Sequence, residues 1–299
     1  MSRHVVVAGA SGFLGTHLCS ALESRGDRVT RLTRREPTEP GEVRWDPDSG
    51  VLDAGLVEDA DVVVNLAGAP LVGNVFSQKW ARGVLESRVR TTGLIADTIA
   101  ASRRRPAFLA QNGTSWYGDH AGEPVDESAD SRGDALLTRV TRAWQAAAEP
   151  AAGAGARVCV LRTAPVLDRR SSPMKQMRLA WKLGVGARLG DGRQHFPCIS
   201  LRDWLSATLF LADDEAVSGP VNLSCPSTPT NAELTAAIAD AVGRRARLFA
   251  PRQVLSVAAG QMAPELLGSV NVVPRVLRDA GFEFADADVR DVVASALRD

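Results

Sequence analysis

The sequence predicts an α/β fold, a doubly wound parallel sheet with a smaller, mostly helical C-terminal lobe. Three observations carry this. A β-branched run at the very start, His4-Val5-Val6-Val7-Ala8, passes through a glycine-rich turn straight into an amphipathic stretch. Short apolar runs then alternate with helix-period segments through about the first half of the chain, the pattern of a parallel sheet. Beyond residue 250 helix-like runs dominate, and no internal repeat or low-complexity linker interrupts the chain. At 299 residues and 45% apolar content there is enough chain for one large domain plus a smaller lobe with a sizeable core.

The first element is the most informative. Gly9-Ala10-Ser11-Gly12-Phe13-Leu14-Gly15 follows the strand, and Phe13, Leu14, Leu18, Ala21 and Leu22 give the next stretch its apolar face. In a strand–turn–helix of this kind one glycine permits the bend, one lets backbone N–H groups approach a pyrophosphate, and one lets helix and strand pack closely. The helix N-terminus adds partial positive charge. The spacing here is G-x-x-G-x-x-G. An ordinary tight turn is the alternative, but the position directly after a buried-type strand favours a dinucleotide cradle formed by Gly9, Ser11, Gly12, Phe13, Leu14 and Gly15.

Residues 28–33 alternate and read as the second strand, ending in Thr33-Arg34-Arg35. An NAD site normally carries Asp or Glu here, about 20 residues after the glycines, to accept the ribose hydroxyls. Arginine cannot accept that bond, but it pairs with a 2′-phosphate, so Thr33 and Arg34 point to NADP(H). A solvated arginine pair at a strand end is the alternative.

Next, residues 43–47 and 50–52 flank a Pro-Asp-Ser-Gly turn and read as a small hairpin or irregular insertion. Residues 59–68 form an apolar strand ending Asn65-Leu66-Ala67-Gly68. Ligands of open parallel sheets sit beyond the carboxyl ends of strands, so Leu66, Ala67 and Gly68 are expected to line the cofactor cleft. Residues 77–99 read as one helix, with Ser87-Arg88 facing either the cofactor or solvent; Arg88 is taken as a cofactor candidate. Arg103-Arg104-Arg105 reads as a solvated helix end before Pro106. Residues 107–110 are the next strand, opening into the polar stretch Gln111 to His120 that holds the only tyrosine, Tyr117.

A helix follows over residues 136–148, a strand over 158–163, and a glycine-rich loop over 184–196, expected over the substrate site. Residues 203–211 read as helix, 217–223 as turn plus strand, and 231–242 as helix. Helix-like runs follow at 255–262 and 274–279, with a final helix ending at Leu297.

Composition excludes several classes. The 35 basic and 35 acidic residues balance, leaving no electrostatic footprint for nucleic acid or an anionic membrane. Cys19, Cys159, Cys198 and Cys225 lie far apart without a Cys-x-x-Cys pair. They suggest reduced buried thiols in a cytoplasmic protein, and no metal site is expected. The first strand begins almost at Met1, so no signal peptide is expected, and no run reaches the roughly 18 apolar residues of a membrane span. A small-molecule substrate is the expected partner.

Taken in order, Gly9 to Gly15, Asn65-Leu66-Ala67-Gly68 and Trp116-Tyr117-Gly118 resemble the extended short-chain dehydrogenase/reductase superfamily, which includes the sugar-nucleotide epimerases. Ser87-Arg88-Val89 with Thr91-Thr92, Gly190-Asp191-Gly192-Arg193-Gln194, Ile199-Ser200-Leu201-Arg202-Asp203 and Gly281-Phe282 are similar to the atypical subgroup of epimerase family proteins with a C-terminal uncharacterised domain. The resemblance covers essentially the whole chain. It implies a Rossmann-type NADP(H)-binding domain over residues 1–165, with a returning segment at about 201–224. Residues 166–200 and 225–299 would form the substrate lobe.

The resemblance does not extend to the catalytic pair. The superfamily's Tyr-x-x-x-Lys aligns with Leu137 and Thr141, neither of which exchanges a proton. Its serine falls near Asn112 or Gly113. Asn112, Thr114 and Tyr117 are therefore the catalytic candidates, with Ser115 able to substitute sterically. Tyr117 and Trp116 are more simply read as walls of the nicotinamide pocket. His195 and Asp119-His120 are further acid–base candidates on loops. Two functional readings follow: an NADP(H)-dependent oxidoreductase or epimerase on a small hydroxyl or carbonyl substrate, using a non-standard acid, or a non-catalytic NADP(H)-binding regulator or sensor.

Overall fold

A computed structural model describes residues 2–182, 186–245 and 248–298. The chain divides into two units, one made of residues 1–112, 140–161 and 208–220 and the other of 113–139, 162–207 and 221–299.

The first unit is organised by the sheet. Strands β1 (His4–Ala8), β2 (Arg28–Thr33), β3 (Glu42–Arg44), β4 (Val62–Asn65) and β5 (Ala107–Gly113) come in chain order. The seven-stranded parallel sheet runs Gly219–Leu223, Val158–Thr163, β5, β4, β1, β2, β3. Val5, Val6 and Val7 are fully buried, as are Val62 and Val63 on β4, because helices cover both faces of a parallel sheet and leave no polar alternation. From β1 the chain winds outward to β2 and β3 on one side and then returns to β4 and β5 on the other. That reversal beside β1 is where open α/β sheets leave a crevice.

Helix α1 (Phe13–Arg25) follows β1 as the pattern predicts, and it closes on Gly26 in the left-handed conformation. The long helix Gln78–Ala101 starts at Ser77, whose side chain accepts the Trp80 N–H, and it ends before the exposed Arg103–Arg105 run. It packs Ile95, Ala96 and Ile99 against Val63 and Phe108 of the sheet.

Two expectations in this unit are corrected. The segment read as a small hairpin contributes β3, which adds to the sheet edge parallel to β2, and only Asp46 and Val51 form an antiparallel bridge. Pairing with a neighbouring strand decides this, and three residues carry no periodicity of their own. The helix after residue 136 stops at Ala146, and Pro150 sits in the first turn of a new short helix, Glu149–Gly153, where its missing N–H costs nothing.

The second unit has its own core, in which Leu167, Met174, Cys198, Cys225, Ile238 and Val292 pack together. Helix Asn231–Ala241 carries a reciprocal capping box between Thr230 and Glu233. Residues 113–139, assigned by sequence to the first domain, fall in this unit, where Tyr117 and Val125 pack with Val272. Gly184 and Val185 of the expected glycine-rich loop lie outside the described residues. The rest of that segment is not a bare loop. Ala187–Leu189 pairs in parallel with Leu248–Ala250, and buried Gln194 bonds the carbonyls of Leu189 and Leu266. The helix expected over 255–262 is instead Arg252–Ala258, a 3-10 turn Gly260–Met262 and a second helix Ala263–Leu267. Pro264 forces the restart, since its ring would clash with the residue 260 carbonyl in a continuous helix. No helix among the described residues is long and apolar enough to cross a membrane.

Candidate functional site

A cleft of about 700 Å³ opens in the first unit beside the glycine turn. Gly9, Ser11, Gly12, Thr33 and Arg34 line it, together with Leu66, Ala67 and Gly68. The backbone there leaves no room for a side chain at Gly9 or Gly15. Gly9 has φ +77°, and a Cβ on it would come within 2.8 Å of the Leu66 carbonyl carbon and the Ala67 nitrogen. A Cβ on Gly15 would overlap the Gly9 carbonyl oxygen, so this residue sets how closely α1 approaches the turn. Phe13, Leu14 and Gly15 are not on the cleft wall. They form the first turn of α1, whose N-cap Gly12 supplies no side-chain acceptor and whose first turn holds no acid. The N–H groups of that turn thus keep no side-chain partner, and the helix end keeps its positive potential.

The opposite wall is held by the long helix. Asn65 Oδ1 accepts the Ala67 N–H at 3.0 Å, while its Nδ2 donates to Thr92 Oγ1 at 2.8 Å. Ser87 Oγ accepts the Ala69 N–H at 3.0 Å, and Thr91 Oγ1 donates to the Ala67 carbonyl at 3.3 Å. Arg88 does not line the cleft. It is buried behind Gly68, donating to the carbonyls of Ala69 and Val84, with its guanidinium 5.0 Å from the Trp144 ring centroid. Burial lowers its pKa to about 10. The Ser87-Arg88 and Thr91-Thr92 motif therefore fixes the path of residues 65–69.

Arg34 is exposed at the end of β2 and makes no hydrogen bond or ion pair with the described residues. Neighbouring Arg31 is tied to Glu23, and Arg90 to Asp48. Sequence reasoning missed Arg31, Trp45, Asp48 and Arg90 as cleft residues. Trp45 and Asp48 arrive there through the β3 pairing, for which no local signal exists.

The catalytic candidates fare differently. Asn112 is buried and donates Nδ2 to the Thr141 carbonyl at 3.0 Å, and Thr114 is buried as well. In the second unit Tyr117 is fully buried and is not a pocket wall. Its hydroxyl donates to Asn222 Oδ1 at 2.7 Å and accepts from Arg162 at 3.1 Å. Burial raises its pKa, chiefly by desolvating the phenolate, so it is a poor proton donor. Arg162 is itself buried, its Cζ 3.5 Å from the Trp116 ring centroid. Leu137 and Thr141, at the tyrosine and lysine positions, are buried too.

The loop candidates are each engaged in local hydrogen bonds. The His195 backbone N–H donates to the Ser269 hydroxyl at 2.9 Å and its ring Nδ1 lies 3.4 Å from the same oxygen, while Asp119 accepts the N–H groups of Ala121 and Ser269. His120 is buried, with Nε2 at 3.2 Å from the Asp130 carbonyl. All four cysteines are free and buried, and desolvation raises Cys19 and Cys159 to about 11, which rules them out as ready nucleophiles.

A parallel sheet ordered in this way, with its glycine turn at the strand-order reversal, defines a Rossmann-type α/β protein of the extended short-chain dehydrogenase/reductase kind. The chain belongs to the NAD dependent epimerase/dehydratase family, whose profile matches residues 5–223, and a domain of unknown function (DUF1731) matches residues 250–296. It is 34% identical to the epimerase family protein ML0860 of Mycobacterium leprae over 293 residues, 98% of this chain and 95% of that one. The crystal structure of human epimerase family protein SDR39U1 (isoform 2) with NADPH matches with a TM-score of 0.86 at 29% identity, covering 98% of both chains. A nucleoside-diphosphate sugar epimerase from Corynebacterium glutamicum matches at a TM-score of 0.81 and 28% identity, over 99% of this chain and 58% of that one.

Proposed function

We propose that the protein binds NADP(H) in the cleft of its first unit and acts as an oxidoreductase or epimerase on a small hydroxyl- or carbonyl-bearing molecule. One observation carries the cofactor choice. Arg34 stands on the cleft wall with no hydrogen-bond or ion-pair partner among the described residues, at the strand end where an NAD site needs a carboxylate. An unpaired guanidinium there suits a 2′-phosphate and repels nothing in it. The glycine turn fits the same group, because Gly9 and Gly15 have no space for a Cβ and Gly12 leaves the α1 N–H groups open to a pyrophosphate. The human relative solved with NADPH supports this reading. When bound, the nicotinamide would supply or accept a hydride. The protein's part is to hold the pyrophosphate at Ser11 and Gly12 and the 2′-phosphate at Arg34, and to shape the remaining wall with Leu66–Gly68. Four buried thiols fit a reducing compartment, and we infer a cytoplasmic location.

Fluorescence titration tests the assignment. NADPH should bind at least about tenfold more tightly than NADH, the worth of one charge-assisted phosphate contact of about 1.5 kcal/mol or more, and Arg34→Ala should erase the difference. Equal affinities that the substitution leaves unchanged would refute the cofactor choice.

A second reading, a non-catalytic sensor of NADP(H), draws on the burial of Leu137 and Thr141 and on the sealed Tyr117 hydroxyl. It predicts a binding partner whose recovery depends on NADPH; recovery indifferent to NADPH would count against it.

A further inference from the structure

Two of the four cysteines meet inside the second unit. Cys198 precedes the short strand Ile199–Ser200, and Cys225 lies two residues beyond Gly219–Leu223. The chain around them runs as two antiparallel segments. His195 and Thr230 form a bridge, the Phe196 N–H donates to the Pro229 carbonyl, and the Cys225 N–H donates to the Cys198 carbonyl at 2.8 Å.

The side chains face each other as well as the backbones. The Cys198 thiol hydrogen-bonds to the Cys225 side chain, and the Cys225 thiol donates on to the Ser227 carbonyl at 3.2 Å. Both residues are fully buried, packed with Leu167, Met174, Ile238 and Val292, and both are free thiols. The other two cysteines differ. Cys19 and Cys159 belong to the first unit, and the side-chain partners of their sulfurs are Arg31 and Arg157.

We propose that Cys198 and Cys225 are a dithiol that closes to a disulfide, an oxidation site within the second unit served by a small-molecule disulfide of the glutathione kind. Neither cofactor nor substrate enters the argument. A disulfide needs Cα atoms about 4.4–6.8 Å apart and Cβ vectors that converge. One N–H···O=C bond holds its two Cα atoms within about 6 Å by bond lengths alone, and the thiol–thiol hydrogen bond shows the side chains converging. The link therefore forms without a rearrangement of the segments that carry it.

Burial sets when it forms. The Cys225 bond, and then desolvation, hold the Cys198 thiol protonated, with its pKa well above the ordinary thiol value. Only a thiolate attacks a disulfide, so the pair stays reduced while this core is closed and reacts when the unit opens locally. The first sulfur to ionise attacks the small disulfide, makes a mixed disulfide and releases one small thiolate. The second protein thiol gives its proton to water and attacks the protein sulfur of that mixed disulfide. The protein S–S bond forms, and the second small thiolate leaves. The two protein thiols lose two electrons and two protons; the small disulfide takes up both and ends as two thiols. The new bond closes residues 198–225 into a loop and restricts the unfolded chain.

Refolding in a redox buffer tests the pair, because it removes burial as a limit on access. The full-length protein is reduced and unfolded in urea, then diluted into reduced and oxidised glutathione mixtures of rising oxidised share. Acid quenching, intact mass and peptide mapping read the product. The parent should fall from four free thiols to two, with the peptides of Cys198 and Cys225 joined, and the oxidised form should unfold at higher urea than the reduced form. Cys198→Ala should abolish the joined peptide and make the urea midpoint indifferent to the oxidant. A protein carrying Cys19→Ala and Cys159→Ala together keeps only the proposed pair and should behave as the parent does, which preserves the test if Cys198→Ala fails to refold. Refolded parent that keeps four thiols in the most oxidising mixture, carries only glutathione adducts, or joins any other two cysteines overturns the proposal.

Discussion

Asn65 and Thr92 meet inside the first unit, with Asn65 Nδ2 donating to Thr92 Oγ1 at 2.8 Å and Trp144 Nε1 donating to the same oxygen at 2.8 Å. Asn65 and Thr92 are fully buried and Trp144 nearly so, and the other end of the Asn65 amide holds the Ala67 N–H. One hydroxyl thereby positions the backbone that walls the cleft.

Thr92→Val keeps the shape but removes the acceptor, leaving two buried donors unpaired. We expect a loss of about 2–6 kcal/mol in urea-induced unfolding, from roughly 1–3 kcal/mol for each of the two orphaned groups, with weaker NADPH binding. Thr92→Ser, which retains the oxygen, should lose far less. Equal stability of the two variants would show that the hydroxyl does not anchor this wall.

Gly9→Ala places a Cβ at φ +77°, within 2.8 Å of the Leu66 and Ala67 backbone. The strained dihedral alone costs about 1 kcal/mol or more, and neither neighbour is a flexible side chain that can yield. The melting temperature should fall and the NADPH titration should flatten. Gly26→Ala is the control, since its φ is also positive but nothing lies within 4 Å of a Cβ there. It should be destabilised without losing cofactor.

Tyr117→Phe deletes the hydroxyl shared by Asn222 and Arg162. A loss of about 1–3 kcal/mol in stability follows if the bond is structural, with any catalytic pH profile unmoved. A profile shifted by this substitution at near-normal stability would return Tyr117 to the catalytic machinery.

Glu127 contributes one part of the pH dependence of the second unit, where burial also raises the pKa of the Asp203 and Glu265 carboxyls. Burial raises its folded-state pKa above the unfolded value, so the folded protein holds this proton more tightly. Its stabilising contribution is complete below the unfolded pKa, near about 4.3, and is lost as pH rises through the folded value. Glu127→Gln, which cannot ionise, should remove this part of the fall. Unfolding free energies of parent and variant measured across that window should converge on neither side if some other group is responsible.

How much of this was legible beforehand varies by residue. The Gly9–Gly15 turn, the Val5–Val7 run of β1 and the helix after Thr230 were readable because each is a local device, set by residues within one turn or strand of one another. The role of Ser87-Arg88 was half-legible: the motif stood out, but cofactor contact and surface exposure were equally open to a guanidinium on a helix. It took the folded backbone to show Arg88 buried on the carbonyls of Ala69 and Val84. Tyr117 drew attention as the only tyrosine, yet its partner Asn222 lies 105 residues away. Nothing near it in the chain signals that its hydroxyl is sealed.

The sequence by itself determined the layers, the glycine cradle, the Arg34 charge at the end of β2 and the absence of the tyrosine–lysine pair. These depend on periodicity, on glycine's freedom from a Cβ and on residue identity, all of which act over a few positions. Only the tertiary structure decided that β3 completes the sheet edge, that residues 113–139 pack in the second unit, and that Ser115 finds Glu265 across 150 residues of sequence. Strand pairing and the burial of a carboxyl against a hydroxyl are non-local: their free energy exists only once distant segments share one dry environment, and no short window of sequence encodes that meeting.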